Sequence, residues 1–118
     1  MCGIAGYYGI RSIDSKKISS TLRLMRQRGP DAKGYVKEKI GKKNLYFLHT
    51  RLSIIDLKKR SNQPYKFKKN LMVFNGEIYN YIELKEYLKK QGYNFSTSSD
   101  TEVLIKMYDN LGEKAFDK

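Results

Sequence analysis

The chain has 118 residues, 40% of them hydrophobic, 13% aromatic and 31% charged, which limits it to one domain with a modest core. A single Cys excludes an internal disulfide framework, and with a single His it leaves no zinc cluster, while no apolar run approaches the roughly 20 residues of a membrane span. The formal charge of +12 raises nucleic acid or an anionic surface as partners, but 18 of the 24 cations are Lys and they scatter from Arg11 to Lys118 rather than forming one stripe.

In chain order, Gly3 to Tyr8 is short, Gly-rich and apolar and reads as a strand. Ser15 to Arg28 follows as a helix, with Ile18, Leu22 and Met25 on one face, stopped by Gly29 and Pro30. Gly34 to Ile40 and Leu45 to His49 flank a Gly41-Lys42-Lys43-Asn44 connection and read as a hairpin. Tyr65 to Lys68 and Leu71 to Asn75, around Lys69-Asn70, read as a second one. A helix after Asn80 follows, capped by Asn80 with Glu83 as capping-box partner, with Tyr81, Leu84 and Leu88 on its face and Gly92 at its end. A last helix starts near Ser99, with Glu102 three places on, a face of Leu104, Met107, Tyr108 and Leu111, and Gly112 as its stop. Strand, helix, hairpin, hairpin, helix, helix is an α+β order with an antiparallel sheet. No basic n-region and apolar h-region opens the chain, so a cytoplasmic setting is expected.

Several residues carry chemistry. Removal of Met1 would leave Cys2 with a thiol and a free α-amine. That amine titrates near ~7.7–8.0, which suits a base for its own side-chain nucleophile; a small buried hydrophobe is the bland alternative. Asn75-Gly76-Glu77 ends an apolar strand. A side-chain amide and a Gly N–H there suit an oxyanion hole, although Asn-Gly is also a common turn. Arg51 lies in the apolar stretch Leu48 to Ile55, where its guanidinium suits a carboxylate ligand or a salt bridge to Asp56 or another acid. Asp100 reads equally as a helix-start residue, and His49 as a partner for Cys2 or a satisfied core residue.

These pieces also occur as an ordered set of motifs: Met1-Cys2-Gly3-Ile4-Ala5-Gly6, Arg28-Gly29-Pro30-Asp31, His49-Thr50-Arg51-Leu52-Ser53-Ile54-Ile55-Asp56, Asn62-Gln63-Pro64, Phe74-Asn75-Gly76-Glu77-Ile78-Tyr79-Asn80 and Ser99-Asp100-Thr101-Glu102. With them the chain resembles the glutaminase domain of glutamine-hydrolysing asparagine synthetases, a class II glutamine amidotransferase and N-terminal-nucleophile hydrolase. The resemblance implies an αββα sandwich of antiparallel sheets, of which residues 1–118 would form an incomplete part, with the synthetase domain absent. It implies that Cys2 attacks the side-chain amide of glutamine and that Asn75 and Gly76 hold the oxyanion. Arg51 would pair with the substrate α-carboxylate, Glu77 and Asp100 with its α-ammonium, and backbone around Leu52 and Ile54 would position it. His49 would match the family without carrying catalysis, and Arg28 would support the nucleophile.

No metal or cofactor is expected on this chain, ATP and Mg²⁺ belonging by resemblance to the synthetase domain. The expected partners are glutamine and that domain, with no nucleic acid and no membrane. Unpaired strand edges would favour association between copies. The competing readings are a basic nucleic-acid-binding module in which Tyr stacks bases between Lys side chains, and a truncated product without activity.

Overall fold

The computed structural model describes every residue from Met1 to Lys118. Strand β1 (Gly3–Gly9) leads to helix α1 (Ser15–Leu24), which tightens into a 3-10 turn at Met25–Gln27. The long hairpin β2 (Ala32–Ile40) and β3 (Lys43–Arg51) follows, then a 3-10 turn at Lys59–Ser61 and the short hairpin β4 (Tyr65–Phe67) and β5 (Asn70–Met72). Helices α2 (Tyr81–Lys90) and α3 (Asp100–Leu111) and a 3-10 segment, Gly112–Asp117, complete the chain. The first three strands form an antiparallel sheet in the order β1-β3-β2, and β4 pairs only with β5. The α+β reading with antiparallel sheets therefore holds. No helix is long and apolar enough to cross a membrane.

Two cores follow from the apolar patterning. Asp14 caps α1 by accepting from the Lys16 N–H at 2.7 Å, and Ile18 and Leu22 then face Tyr46 and Leu48 of β3. The buried Tyr46 hydroxyl is satisfied by Ser12 Oγ at 3.1 Å and the Ile13 N–H at 3.0 Å, so a polar atom does not weaken this core. The second core packs Leu88 of α2 against Val103 and Met107 of α3 and Ala115, with Tyr81, Leu84, Tyr93 and Phe95 around them.

The structure corrects several local expectations. Ile40 pairs with Lys43 and Phe67 with Asn70. The turns are thus two-residue, Gly41-Lys42 and Lys68-Lys69, with Gly41 (φ 58°) and Lys68 (φ 52°) in the left-handed region. Strand β5 stops at Met72, leaving Val73 to Asn75 outside the ladder. Asn80 does not cap α2: its backbone (φ −94°, ψ 24°) is not extended, and its amide donates to the Lys118 carbonyl at 2.9 Å. Ser99 does cap α3 through the Thr101 N–H at 3.1 Å, but Glu102 turns away from it. The buried face of α3 is Val103, Ile105 and Met107, while Tyr108 is exposed beside Phe116. The physical reason is that α3 packs on α2 and on β4 and β5 at once, so one amphipathic stripe cannot describe it.

Candidate functional site

Strand register positions the thiol. Gly3 pairs with Thr50, so Cys2 lies beside the chain leaving β3. Its Sγ accepts from the Leu52 N–H at 3.4 Å and faces the Leu52 carbonyl at 3.8 Å. Arg28 Nε donates to the Cys2 carbonyl at 3.2 Å. Three residues later the Asp31 N–H donates to the Arg51 carbonyl at 3.0 Å, and Asp31 Oδ2 accepts from the Ser53 N–H at 2.7 Å. The Arg28-Gly29-Pro30-Asp31 turn thus grips Cys2 on one side and the Leu52–Ile54 segment on the other. Gly29 permits this by close approach: a Cβ there would lie 2.4 Å from the Thr50 carbonyl atoms.

Beside the thiol lies a cavity of about 390 Å³, within the ~300–1,000 Å³ typical of small-molecule sites. Cys2, Arg51, Leu52, Ile54, Asn75, Gly76, Glu77 and Asp100 all line it, so these eight reach one space from four separate stretches of chain, while Arg28 and His49 do not line it. Asn75, Gly76 and Glu77 sit at its exposed rim, whereas Arg51 and Asp100 are buried in its wall.

The loop bearing Asn75 is fastened one residue earlier. Gln63 Oε1 accepts from the Phe74 N–H at 2.6 Å and its amide donates to Thr101 Oγ1 at 3.3 Å. His49 Nε2 meets the Phe74 carbonyl at 3.3 Å. A carbonyl only accepts, so Nε2 carries the proton. Burial lowers the His49 pKa, the Phe74 bond opposes this, and the charge on Arg51 adds to it. His49 is therefore the satisfied core residue of the two readings, bonded to Phe74 rather than to Cys2. Gly76 is again a matter of space, because a Cβ would meet the Phe74 ring at 2.8 Å.

The charges do not pair with one another. Arg51 makes no salt bridge to Asp56. Its Nη1 donates to the Lys58 carbonyl (3.1 Å) and Asn62 Oδ1 (2.9 Å), and its Nη2 to the carbonyls of Ile55 (2.9 Å) and Asp56 (2.5 Å). All four acceptors are neutral, so the guanidinium keeps its full charge against the cavity wall. Only Nε remains as a free donor for a ligand. Asp100 Oδ2 accepts from the Ile78 N–H at 3.3 Å. As first residue of α3 it leaves the cap to Ser99 and ties the helix start to the Asn75 loop.

Gln63, Thr101 and Asp31 are the site-shaping residues that sequence reasoning left without a role. Gln63 and Asp31 sit in motifs that drew notice, but their partners are 11 and 22 residues away, which no local pattern signals.

A family model described as a glutamine amidotransferase domain matches residues 1–118. Asparagine synthetase [glutamine-hydrolyzing] 1 of Bacillus subtilis (strain 168) is 38% identical over 125 residues, covering 100% of this chain and 19% of that protein. Asparagine synthetase B [glutamine-hydrolyzing] of Escherichia coli (strain K12) is 37% identical over 123 residues, covering 99% and 21%. A putative asparagine synthetase [glutamine-hydrolyzing] 2 of Methanocaldococcus jannaschii is 32% identical over 129 residues, covering 95% and 24%. The chain spans about a fifth of the length of these relatives.

Proposed function

The chain belongs to the glutamine amidotransferase domain family, and from that premise we propose that it hydrolyses the side-chain amide of glutamine, with Cys2 as nucleophile. Excision of Met1 turns the Cys2 nitrogen from an amide into an amine that takes the thiol proton. The thiolate attacks the amide carbon, and the oxyanion is held by the Asn75 side-chain amide and the Gly76 N–H. Collapse of the intermediate releases ammonia carrying the relayed proton and leaves a thioester. Water then cleaves the thioester to glutamate and restores the thiol. Arg51 faces the substrate α-carboxylate through its charge and Nε, and Glu77 and Asp100 face the α-ammonium. Amine, thiol and fixed dipoles complete this chemistry, so the reaction calls for no metal or cofactor here.

By the names of the relatives, the ammonia serves asparagine synthesis in the longer protein, where ATP, Mg²⁺ and the acceptor would bind. Residues 1–118 are then part of its glutaminase unit, and the synthetase domain is its partner.

The carrying observation is that one cavity gathers the thiol, the Asn75-Gly76 pair and charges of both signs. Glutamate release from glutamine, followed in the chain with Met1 removed, is expected to disappear in Cys2→Ala. It should also disappear when an N-terminal extension keeps the Cys2 nitrogen acylated. Turnover by either variant would remove the mechanism.

A further inference from the structure

Asp56 lies outside the cavity, yet it touches the supports of both charged walls. Its carbonyl accepts from Arg51 Nη2 at 2.5 Å. Its carboxylate accepts from the Ser98 N–H at 2.8 Å, 42 residues away, immediately before Ser99, the cap of α3, and Asp100. The Lys58 N–H (3.1 Å) and Arg60 Nε (3.2 Å) and Nη2 (3.1 Å) complete its shell, and the buried, otherwise unpartnered Ser61 hydroxyl faces it. The carboxylate is only 3% exposed while the Arg60 side chain is 46% exposed. The residue therefore acts as an internal anchor more than as a surface ion pair, which is worth little. Its backbone sits at φ 50°, a region rare outside Gly but tolerated by Asp and Asn.

We infer that Asp56 is a positioning residue for substrate recognition, fixing Arg51 and the start of α3 at the spacing that an α-carboxylate and an α-ammonium require. The inference rests on the glutamine reading proposed above. Asp56 joins the two segments directly, whereas their other link is the indirect one in which Asn62 accepts from Arg51 and the neighbouring Gln63 donates to Thr101. The thiol is held independently, by Leu52, Arg28 and the β1–β3 ladder. Loss of the anchor is thus expected to weaken recognition of the substrate main chain and to leave thiol reactivity in place. The Ser98 N–H above all, with Lys58 and Arg60, outweighs burial and holds the Asp56 carboxyl at about 2, so the anchor is charged throughout the neutral range.

Cys2 is the only Cys, so alkylation reports on it alone. The chain with Met1 removed is treated with iodoacetamide, which carries no main-chain groups. In parallel it is treated with a glutamine-shaped chloroketone bearing an α-amine and an α-carboxylate. Mass spectrometry follows both rates, with and without glutamine. Asn is the replacement of choice because it tolerates the same backbone. Asp56→Asn is expected to slow the chloroketone by about tenfold or more, as misplaced binding groups do, with iodoacetamide within about twofold of the parent. Steady-state turnover should show the same split, KM rising while kcat holds. Arg60→Ala, which removes only the exposed partner, is expected to stay within about twofold of the parent for both reagents.

Equal slowing of both reagents by Asp56→Asn would assign it a merely structural role and overturn the inference. Unchanged rates, or the same loss in Arg60→Ala, would overturn it too. A parent chain that glutamine fails to protect, and that shows no preference for the chloroketone, would sink the glutamine reading first and this inference with it.

Discussion

Gly29→Ala tests whether the Arg28–Asp31 turn is a clamp. Gly29 is not among the glycines with positive φ, so the substitution adds no torsional strain. Its whole effect is steric. The new methyl would lie 2.4 Å from the Thr50 C and O atoms and 2.5 Å from the Arg51 nitrogen. These are backbone atoms of the central strand and cannot swing aside. Restoring ordinary contact requires the turn to retreat by about 1 Å. That retreat stretches the Asp31–Arg51 bond of 3.0 Å and the Arg28–Cys2 bond of 3.2 Å past useful length. Overpacking costs about 1–3 kcal/mol, and two weakened hydrogen bonds add about 1 kcal/mol each, giving a loss of about 3–5 kcal/mol. For a chain of this size each kcal/mol lowers Tm by about 4 °C, so the melting temperature should fall by about 12–20 °C. The assay is thermal unfolding followed by circular dichroism, with iodoacetamide labelling of Cys2 as a local readout. A melt within about 2 °C of the parent, with labelling unchanged, would refute the clamp.

Other outcomes follow from the same geometry. Glu102 and Lys106 form a buried pair at 2.6 Å on α3, with the Asn94 carbonyl also on Lys106. Glu102→Gln is expected to cost about 3–5 kcal/mol by stranding that cation, and the double change with Lys106→Met to recover most of it, read by denaturant unfolding. Burial raises the Glu102 pKa, but bonds from Lys106, the Thr97 hydroxyl and the Ser96 and Thr97 N–H groups outweigh it and hold the carboxyl at about 2, against an ordinary 4.5. The unfolded chain thus binds the proton more readily. This stabilisation is complete above about pH 4.5 and is lost as pH falls toward about 2; acid titration of Glu102→Gln should show a shallower loss in that window. Asn75→Ala is expected to lower kcat by about 10²–10³ with KM little changed, and a loss confined to KM would deny it the oxyanion. Glutamine KM is expected to vary less than about twofold between 50 and 200 mM salt, whereas a module held by several phosphates would lose about 10³ or more in affinity.

Much of the architecture was legible because it is local. Apolar spacing placed α1 and the Tyr81, Leu84, Leu88 face of α2, and Gly and Lys-rich breaks placed both hairpins within a residue or two, except that β5 stops at Met72, three residues short of Asn75. Failures arose where a distant partner decided the outcome. Asn80 had a cap's identity but bonds Lys118. Glu102 had a capping-box position, but Ser96, Thr97 and Lys106 supply its partners. Arg51 beside Asp56 in sequence suggested an ion pair, yet the left-handed turn at Asp56 offers its carbonyl inward and sends its carboxylate to Ser98. The site residues were named from ordered motifs, since no local spacing brings Cys2, Asn75 and Asp100 together. Antiparallel register and the Gln63 and His49 bonds to Phe74 do that.

The net charge of +12 makes better sense once its local partners are counted. Lys66, Lys68, Lys89 and Lys106 hold carboxylates. Lys37, Lys43 and Lys85 lie over the rings of Tyr46, Tyr8 and Phe95, so those rings are covered by cations from their own chain instead of offering free faces to bases. The cavity has the opposite bias, with Glu77 and Asp100 against Arg51 on its wall. A polyanion drawn to the exterior would meet two carboxylates there. In the proposed reading a small zwitterion would meet the reverse, with its ammonium toward the acids, its carboxylate toward a guanidinium whose terminal hydrogens go only to neutral acceptors, and a zero net charge that makes the exterior field nearly irrelevant. On the glutamine reading proposed above, selection by this cavity is a matter of separated charges at fixed spacing, for which the mounting of Arg51 and α3 matters more than the surplus of lysine outside.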